Sequence, residues 1–141
     1  PQARVGILDF DTHYGDGTAQ ILRKLDLDWV RHYTAGAHYE RPGQAAKFLA
    51  AIPELVAGFE GCAVLLYQAG ADPHIDDPLG GWLDSQQLAQ RDQLVFAHAR
   101  RIGLPVAWNL AGGYQDPVSK VLAIHDATMR ECVVSWCASA D

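Results

Sequence analysis

The chain has 141 residues, enough for one domain with a full hydrophobic core. Hydrophobic residues make up 49% of it and charged residues 20%, ordinary globular proportions, and a net charge of −6 argues against sequence-independent binding to nucleic acid. No apolar run approaches a membrane span, no signal-peptide pattern is visible, and the three cysteines lack CxxC spacing, which points to reduced thiols in a cytoplasmic protein. Cys62, Cys132 and Cys137 read as buried small hydrophobes. The chain opens Pro1-Gln2-Ala3-Arg4 and its only methionine is Met129. This reads as an internal start, with more chain expected before it.

Residues 4–8 read as a buried strand. Asp9, Asp11 and His13 follow at i, i+2 and i+4, and share one face if the strand runs that far. Gly15 and Gly17 allow a sharp turn, and Thr18 caps a short helix to about Leu25, with Ile21, Leu22 and Leu25 inward. Residues 29–33 favour a strand. A helical region over 44–59 carries the stripe Phe48, Leu49, Ile52, Leu55, Val56 and Phe59. Pro53 within it predicts a kink or a second helix starting there. Residues 62–69 form a continuous apolar run, as in a strand buried on both faces.

An acidic, breaker-rich loop over 70–81 follows. Asp84 or Ser85 caps the next helix, which runs to about Ile102 with Leu88, Val95, Ala99 and Ile102 inward; Gly103 and Pro105 close it. Residues 106–110 are a fourth strand and 111–114 its exit loop. The last helix runs from Ser119 to about Trp136, with Val121, Leu122, His125, Met129, Cys132, Val133 and Trp136 as its buried face. Strands alternating with helices predict one α/β domain: a parallel sheet with helices on both faces. Ligands of such sheets bind beyond the carboxyl ends of the strands. Asp9 to His13, Asp72 and Tyr114 should therefore meet on one edge.

Asp11, His13 and Asp72 would make a three-ligand zinc site with a fourth position open, the catalytic pattern. Tyr114, after two glycines, can extend into it and donate to an oxyanion. At these residues the chain resembles the histone deacetylase family of the arginase-deacetylase superfamily. The matching segments are Leu8-Asp9-Phe10-Asp11-Thr12-His13-Tyr14-Gly15-Asp16-Gly17-Thr18, then Ala69-Gly70-Ala71-Asp72-Pro73-His74 with Asp77-Pro78-Leu79-Gly80-Gly81, then Leu110-Ala111-Gly112-Gly113-Tyr114. They occur in the family's order and span nearly the whole chain. The bacterial deacetylase-like branch is the most similar, because the gap between the first two segments is short.

The resemblance implies zinc on Asp11, His13 and Asp72, and Tyr114 as the residue that polarises an amide carbonyl. It implies that Asp9 orients a catalytic histidine and that Asp16 partners a second one. It also implies a place for a structural potassium ion among backbone groups near Asp9, Asp11 and His13. The substrate would be an acylated amine: acetyl-lysine in a protein, or an acetylpolyamine. Two departures stand out. Tyr14 replaces the second histidine of the usual His-His-Gly. More seriously, the family's adjacent histidine pair lies upstream of the first motif, and no His-His occurs here. The chain thus resembles the C-terminal part of a deacetylase catalytic domain, expected alone to be nearly inactive and, through an exposed apolar edge, oligomeric or poorly soluble.

Two other readings compete. Asp9-Phe10-Asp11-Thr12 also fits the haloacid-dehalogenase-like phosphatases, with Asp9 as nucleophile and Mg²⁺ as metal. Against it, no Ser or Thr ends the 62–69 strand, and Lys24, Lys47 and Lys120 sit in helices. The other reading is a catalytically incomplete domain that binds metal or assembles with a partner. Of the remaining histidines, His74, His98 and His125 read as structural, while His32 and His38 could line an entrance or be solvated.

Overall fold

A computed structural model describes residues 3–137. Four parallel strands form one sheet: β1 (Val5–Asp9), β2 (Val30–Thr34), β3 (Val64–Gly70) and β4 (Val106–Ala111), in the order β2-β1-β3-β4. The helices are α1 (Asp16–Lys24), α2 (Ala45–Ala57), α3 (Ser85–Arg101) and α4 (Ser119–Cys137). β1 leads sideways to β2 through α1, whereas the chain returns across β1 to β3 through α2. Right-handed crossovers in opposite directions put α1 on one face and α2, α3 and α4 on the other. The predicted α/β architecture is therefore found, with very unequal cover on its two faces.

The α2–α4 face holds the core. Leu8, Leu65, Tyr67 and Ala69 point into it and are fully or almost fully buried. Phe10 sits edge-on against Phe48 and Tyr67, with ring centroids 4.9 and 5.7 Å apart, and Phe48 meets Trp82 at 4.6 Å. On the opposite face Leu66 is 43% exposed. That face includes Ile7, Gln68, Ala107 and Asn109, which line an open trough with Thr18 of α1. The expectation that β3 is buried on both sides is corrected accordingly: its apolar run suits a doubly covered strand, but α1 is short and shields little. α1 has no buried residue, so Ile21 and Leu25 do not form the inner face predicted for them.

α2 is one helix with Pro53 inside, following a 3₁₀ turn at Pro42–Gln44; no second helix begins at Pro53. α3 is capped by Asp84, whose carboxylate accepts from Gln87 N at 2.8 Å while Gln87 Oε1 accepts from Asp84 N at 2.9 Å. This is the reciprocal capping box. α4 is rotated from its predicted face. Val121, Ile124, His125 and Thr128 are buried, whereas Leu122, Met129, Val133 and Trp136 are exposed. The helix is apolar nearly all round, so periodicity alone could not choose its side. Of the cysteines only Cys62 is buried; Cys132 is half-buried, Cys137 exposed, and all three are free thiols. Among the described residues no helix is long and apolar enough to cross a membrane.

Candidate metal centre

The connections from β1 and β3 leave in opposite directions, which opens a crevice between their carboxyl ends. In open α/β sheets that switch point is where ligands bind. Asp11 follows β1 and Asp72 follows β3, so the topology alone brings these carboxylates together. The strand does not run on to His13, contrary to the alternation argument: β1 ends at Asp9 and the chain bends. The bend is built by side chains. Asp9 Oδ1 accepts from Asp11 N at 3.1 Å, and Asp11 Oδ1 accepts from His13 N at 2.7 Å. His13 is thereby folded back over Asp11, while Asp9 lies beneath as a brace.

Asp11, His13 and Asp72 each direct a ligand atom to one point, all within 4.8 Å of one another. His13 Nδ1 lies 3.3 Å from Asp72 Oδ2 and 3.5 Å from Asp11 Oδ2. Asp72 is fully buried; its Oδ1 accepts from Thr12 N at 3.2 Å, and its Oδ2 has no hydrogen-bond partner. A buried carboxylate oxygen without a donor is costly. Ligand atoms about 2.0–2.1 Å from a tetrahedral ion stand about 3.3–3.4 Å apart, so the two distances from His13 Nδ1, and the imidazole–carboxylate chemistry of the set, suit zinc. Burial, and then the Asp11 carboxylate, push the Asp72 carboxyl up to about 6; the same two causes push Asp9 to about 6. The site therefore concentrates negative charge that a divalent cation would offset.

Two glycines make room. A side chain at Gly112, where φ is 57°, would put its Cβ 2.5 Å from the Asp72 carboxyl. One at Gly70 would put it 2.5 Å from Asp11 Cα. Gly112 thus packs the exit of β4 directly against a ligand carboxylate. Tyr114, two residues on, is held through its backbone N–H, which donates to Asp77 Oδ2 at 2.8 Å, and its ring is 54% exposed. Asp16 is exposed in the first turn of α1, apart from the cluster. The carbonyls of Asp9 and His13, expected near a potassium site, accept from Ala35 N at 2.8 Å and Thr34 Oγ1 at 3.2 Å.

The other histidines are placed elsewhere. His74 is buried, its Nδ1 accepting from Asp76 N at 3.0 Å and its Nε2 lying 2.9 Å from Ser85 Oγ. His98 Nδ1 lies 2.8 Å from Leu94 O, and His125 is buried with its Nδ1 free of hydrogen bonds; none of the three joins the Asp11–His13–Asp72 cluster. His38 stacks on Tyr33, and His32 Nε2 is buried without a partner.

Three residues beside the centre were missed. Gln68 Nε2 donates to Asp11 Oδ2 at 3.3 Å. Arg91 and Asp92 are fully buried below the strand ends. Leu88, Arg91, Asp92, Val95 and Ala99 fall at helical spacing on one stripe, so a charged pair interrupting an apolar stripe was the available signal.

Fold and site together define an α/β protein carrying a candidate metal centre at the switch point of its sheet. No family model matches the chain. It is similar to an uncharacterized protein of Picosynechococcus sp. (strain ATCC 27264 / PCC 7002 / PR-6), 26% identical over 144 residues, a match covering 90% of this chain and 48% of that protein. Among solved structures it is similar to an HDAC homolog complexed with SAHA, at 21% identity and a TM-score of 0.61, covering 94% of this chain and 41% of that one. The chain spans less than half the length of either. The structural likeness shows the fold alone, an α/β fold like that of the HDAC homolog over the part matched.

Proposed function

We propose that this chain carries the metal centre of a zinc-dependent amide hydrolase that removes an acyl group, acetyl in the first instance, from an amine such as acetyl-lysine or an acetylpolyamine. The observation that carries the reading is the convergence of Asp11, His13 and Asp72, with the Asp72 Oδ2 atom buried, free of hydrogen bonds and 3.3 Å from His13 Nδ1. Zinc held there would supply Lewis-acid activation of a carbonyl oxygen and of water.

The chain's own residues do the rest. Asp9 fixes the bend that presents Asp11 and His13. Gly112 lets β4 approach Asp72, and the Tyr114 hydroxyl donates a hydrogen bond to charge developing on the acyl oxygen. One such donor is worth about 3 kcal/mol of barrier. The proton from water passes to a histidine outside this chain, which Asp9 or Asp16 would orient, and that group later protonates the leaving amine. The phosphatase reading loses support because Asp9 is buried and its Oδ1 is engaged by Asp11 N.

The test is hydrolysis of an acetyl-lysine peptide and of an acetylpolyamine by the full-length protein, with zinc removed and restored. Turnover that follows zinc content supports the assignment. Stoichiometric zinc with no hydrolysis of either substrate class would leave a metal-binding domain without this activity.

A further inference from the structure

Arg91 lies in the middle of α3 and has no solvent exposure. One of its nitrogens, Nη1, donates to two carbonyl oxygens: Gly70 O at 2.6 Å and Phe10 O at 3.2 Å. Gly70 is the last residue of β3, and Phe10 is the first after β1. The β1–β3 register runs to Asp9 opposite Gln68, and Phe10 N still donates to Gln68 O at 3.1 Å. Beyond that the two chains diverge toward Asp11 and Asp72. Buried carbonyls where a ladder ends need another donor, and the guanidinium serves both strands from one atom.

The rest of the guanidinium is anchored on the far side. Nε and Nη2 donate to the two oxygens of Asp92 at 2.7 and 3.2 Å. Asp92 also accepts from the Tyr67 hydroxyl and from Thr128 Oγ1, the latter at 2.6 Å. The fork is thus held from α3, α4 and β3. Burial is the largest single influence and disfavours its charge, but Asp92, Tyr67 and Asp72 together outweigh it and keep Arg91 protonated. A lysine offers no planar fork and could not make the same set of bonds.

We propose that Arg91 is a positioning residue of the metal centre, bridging the Phe10 and Gly70 carbonyls so that Asp11 and Asp72 stand at the spacing a shared cation needs. This rests on reading Asp11, His13 and Asp72 as that centre. The bridged carbonyls lie one residue before Asp11 and two before Asp72. Metal–ligand distances tolerate only about 0.2 Å, so a loosened bridge is felt as affinity and not only as stability.

The experiment compares Arg91→Lys with Thr128→Val in the full-length protein. Thr128→Val removes a bond at the far end of the same network. Zinc affinity is read by competition with a chromophoric chelator, and coordination geometry by the visible bands of the cobalt-substituted protein. Arg91→Lys should bind zinc about 10- to 100-fold more weakly and shift the cobalt bands. Thr128→Val should lower the melting temperature yet keep wild-type bands and an affinity within about twofold. Should Arg91→Lys not fold, Arg91→Gln combined with Asp92→Asn removes both charges together and is read the same way. Wild-type affinity and bands in the Arg91 variant, or an equal loss in Thr128→Val, would reduce Arg91 to a structural residue. A wild-type protein that takes up neither zinc nor cobalt would refute the metal centre itself, a result distinct from both.

Discussion

Leu65 and Leu66 are neighbours in β3, yet Leu65 is fully buried under the α2–α4 layer and Leu66 is 43% exposed on the opposite face. The contrast extends across the sheet. One face carries an aromatic core and an ion-pair network with no exposure; the other has a single short helix over an open trough. The candidate metal ligands Asp11, His13 and Asp72 sit at the edge where these faces meet. On the covered side Arg91 donates to the Phe10 and Gly70 carbonyls just before Asp11 and Asp72. The open side contributes the brace, through Asp9 and Gln68.

The largest expected effect lies at the shared edge. Asp72→Ala should abolish stoichiometric zinc binding, weakening it by at least about 10³, or about 4 kcal/mol. Metal analysis after dialysis checks this, and unchanged stoichiometry would remove Asp72 from the ligand set. Next comes Tyr114→Phe in the full-length protein, which should lower kcat by about 10² to 10³ while zinc content stays at wild type. Near-normal turnover would mean that the exposed phenol takes no part.

The faces themselves are compared by urea unfolding of this chain. Leu65→Ala should cost about 2–5 kcal/mol, as a buried leucine does. Leu66→Ala, one residue away, should cost less than about 1 kcal/mol. Equal costs would show that the open face is covered in solution.

The smallest effect concerns acid. Burial, and then the Arg91 guanidinium, hold the His125 imidazole below its ordinary value, with Asp92, Asp126 and the Gly112 backbone acting against them. A histidine whose folded pKa is depressed contributes stability that is complete above its unfolded value of about 6.5. That contribution is lost as pH falls through the folded value, at no more than about 1.4 kcal/mol per pH unit. Asp9 and Asp72, pushed up to about 6, take up protons in the folded state over the same window and act the other way, so the His125 contribution is read as a difference: between about pH 7 and pH 5 the urea midpoint of the wild type should fall relative to that of His125→Gln. An unchanged slope in the variant would place the acid sensitivity elsewhere, with His32, also lowered by burial, the next group to replace.

Much of this was legible in the residues. Four apolar strand-forming segments between helical stripes implied a parallel α/β sheet, and the strand and helix boundaries fell within a few residues. Asp11, His13 and Asp72 could be proposed together because strand ends share one edge. The reason first offered for Asp11 and His13, strand alternation, was not the operative one: their approach comes from a bend closed by Asp9 and Asp11 carboxylates. α4 could not be oriented, since Leu122 and Met129 are as apolar as Ile124, and only contact with α3 decides between them. Arg91 and Asp92 have no place in the predicted α3 stripe of Leu88, Val95, Ala99 and Ile102, since charged side chains are usually exposed. Their place on the Leu88–Val95 stripe was the clue; Arg91 reaches backbone carbonyls more than 20 residues away in sequence, and Asp92 accepts from the side chains of Arg91, Tyr67 and Thr128.

The central claim is that Asp11, His13 and Asp72 bind a single metal ion at the switch point between β1 and β3. Crystals of the zinc-loaded protein, measured on both sides of the zinc absorption edge, test it directly. The account predicts one anomalous peak between these strand ends, about 2.0–2.2 Å from Asp11, His13 and Asp72 Oδ2. A peak bonded to other residues, or none there at full zinc occupancy in solution, would contradict it.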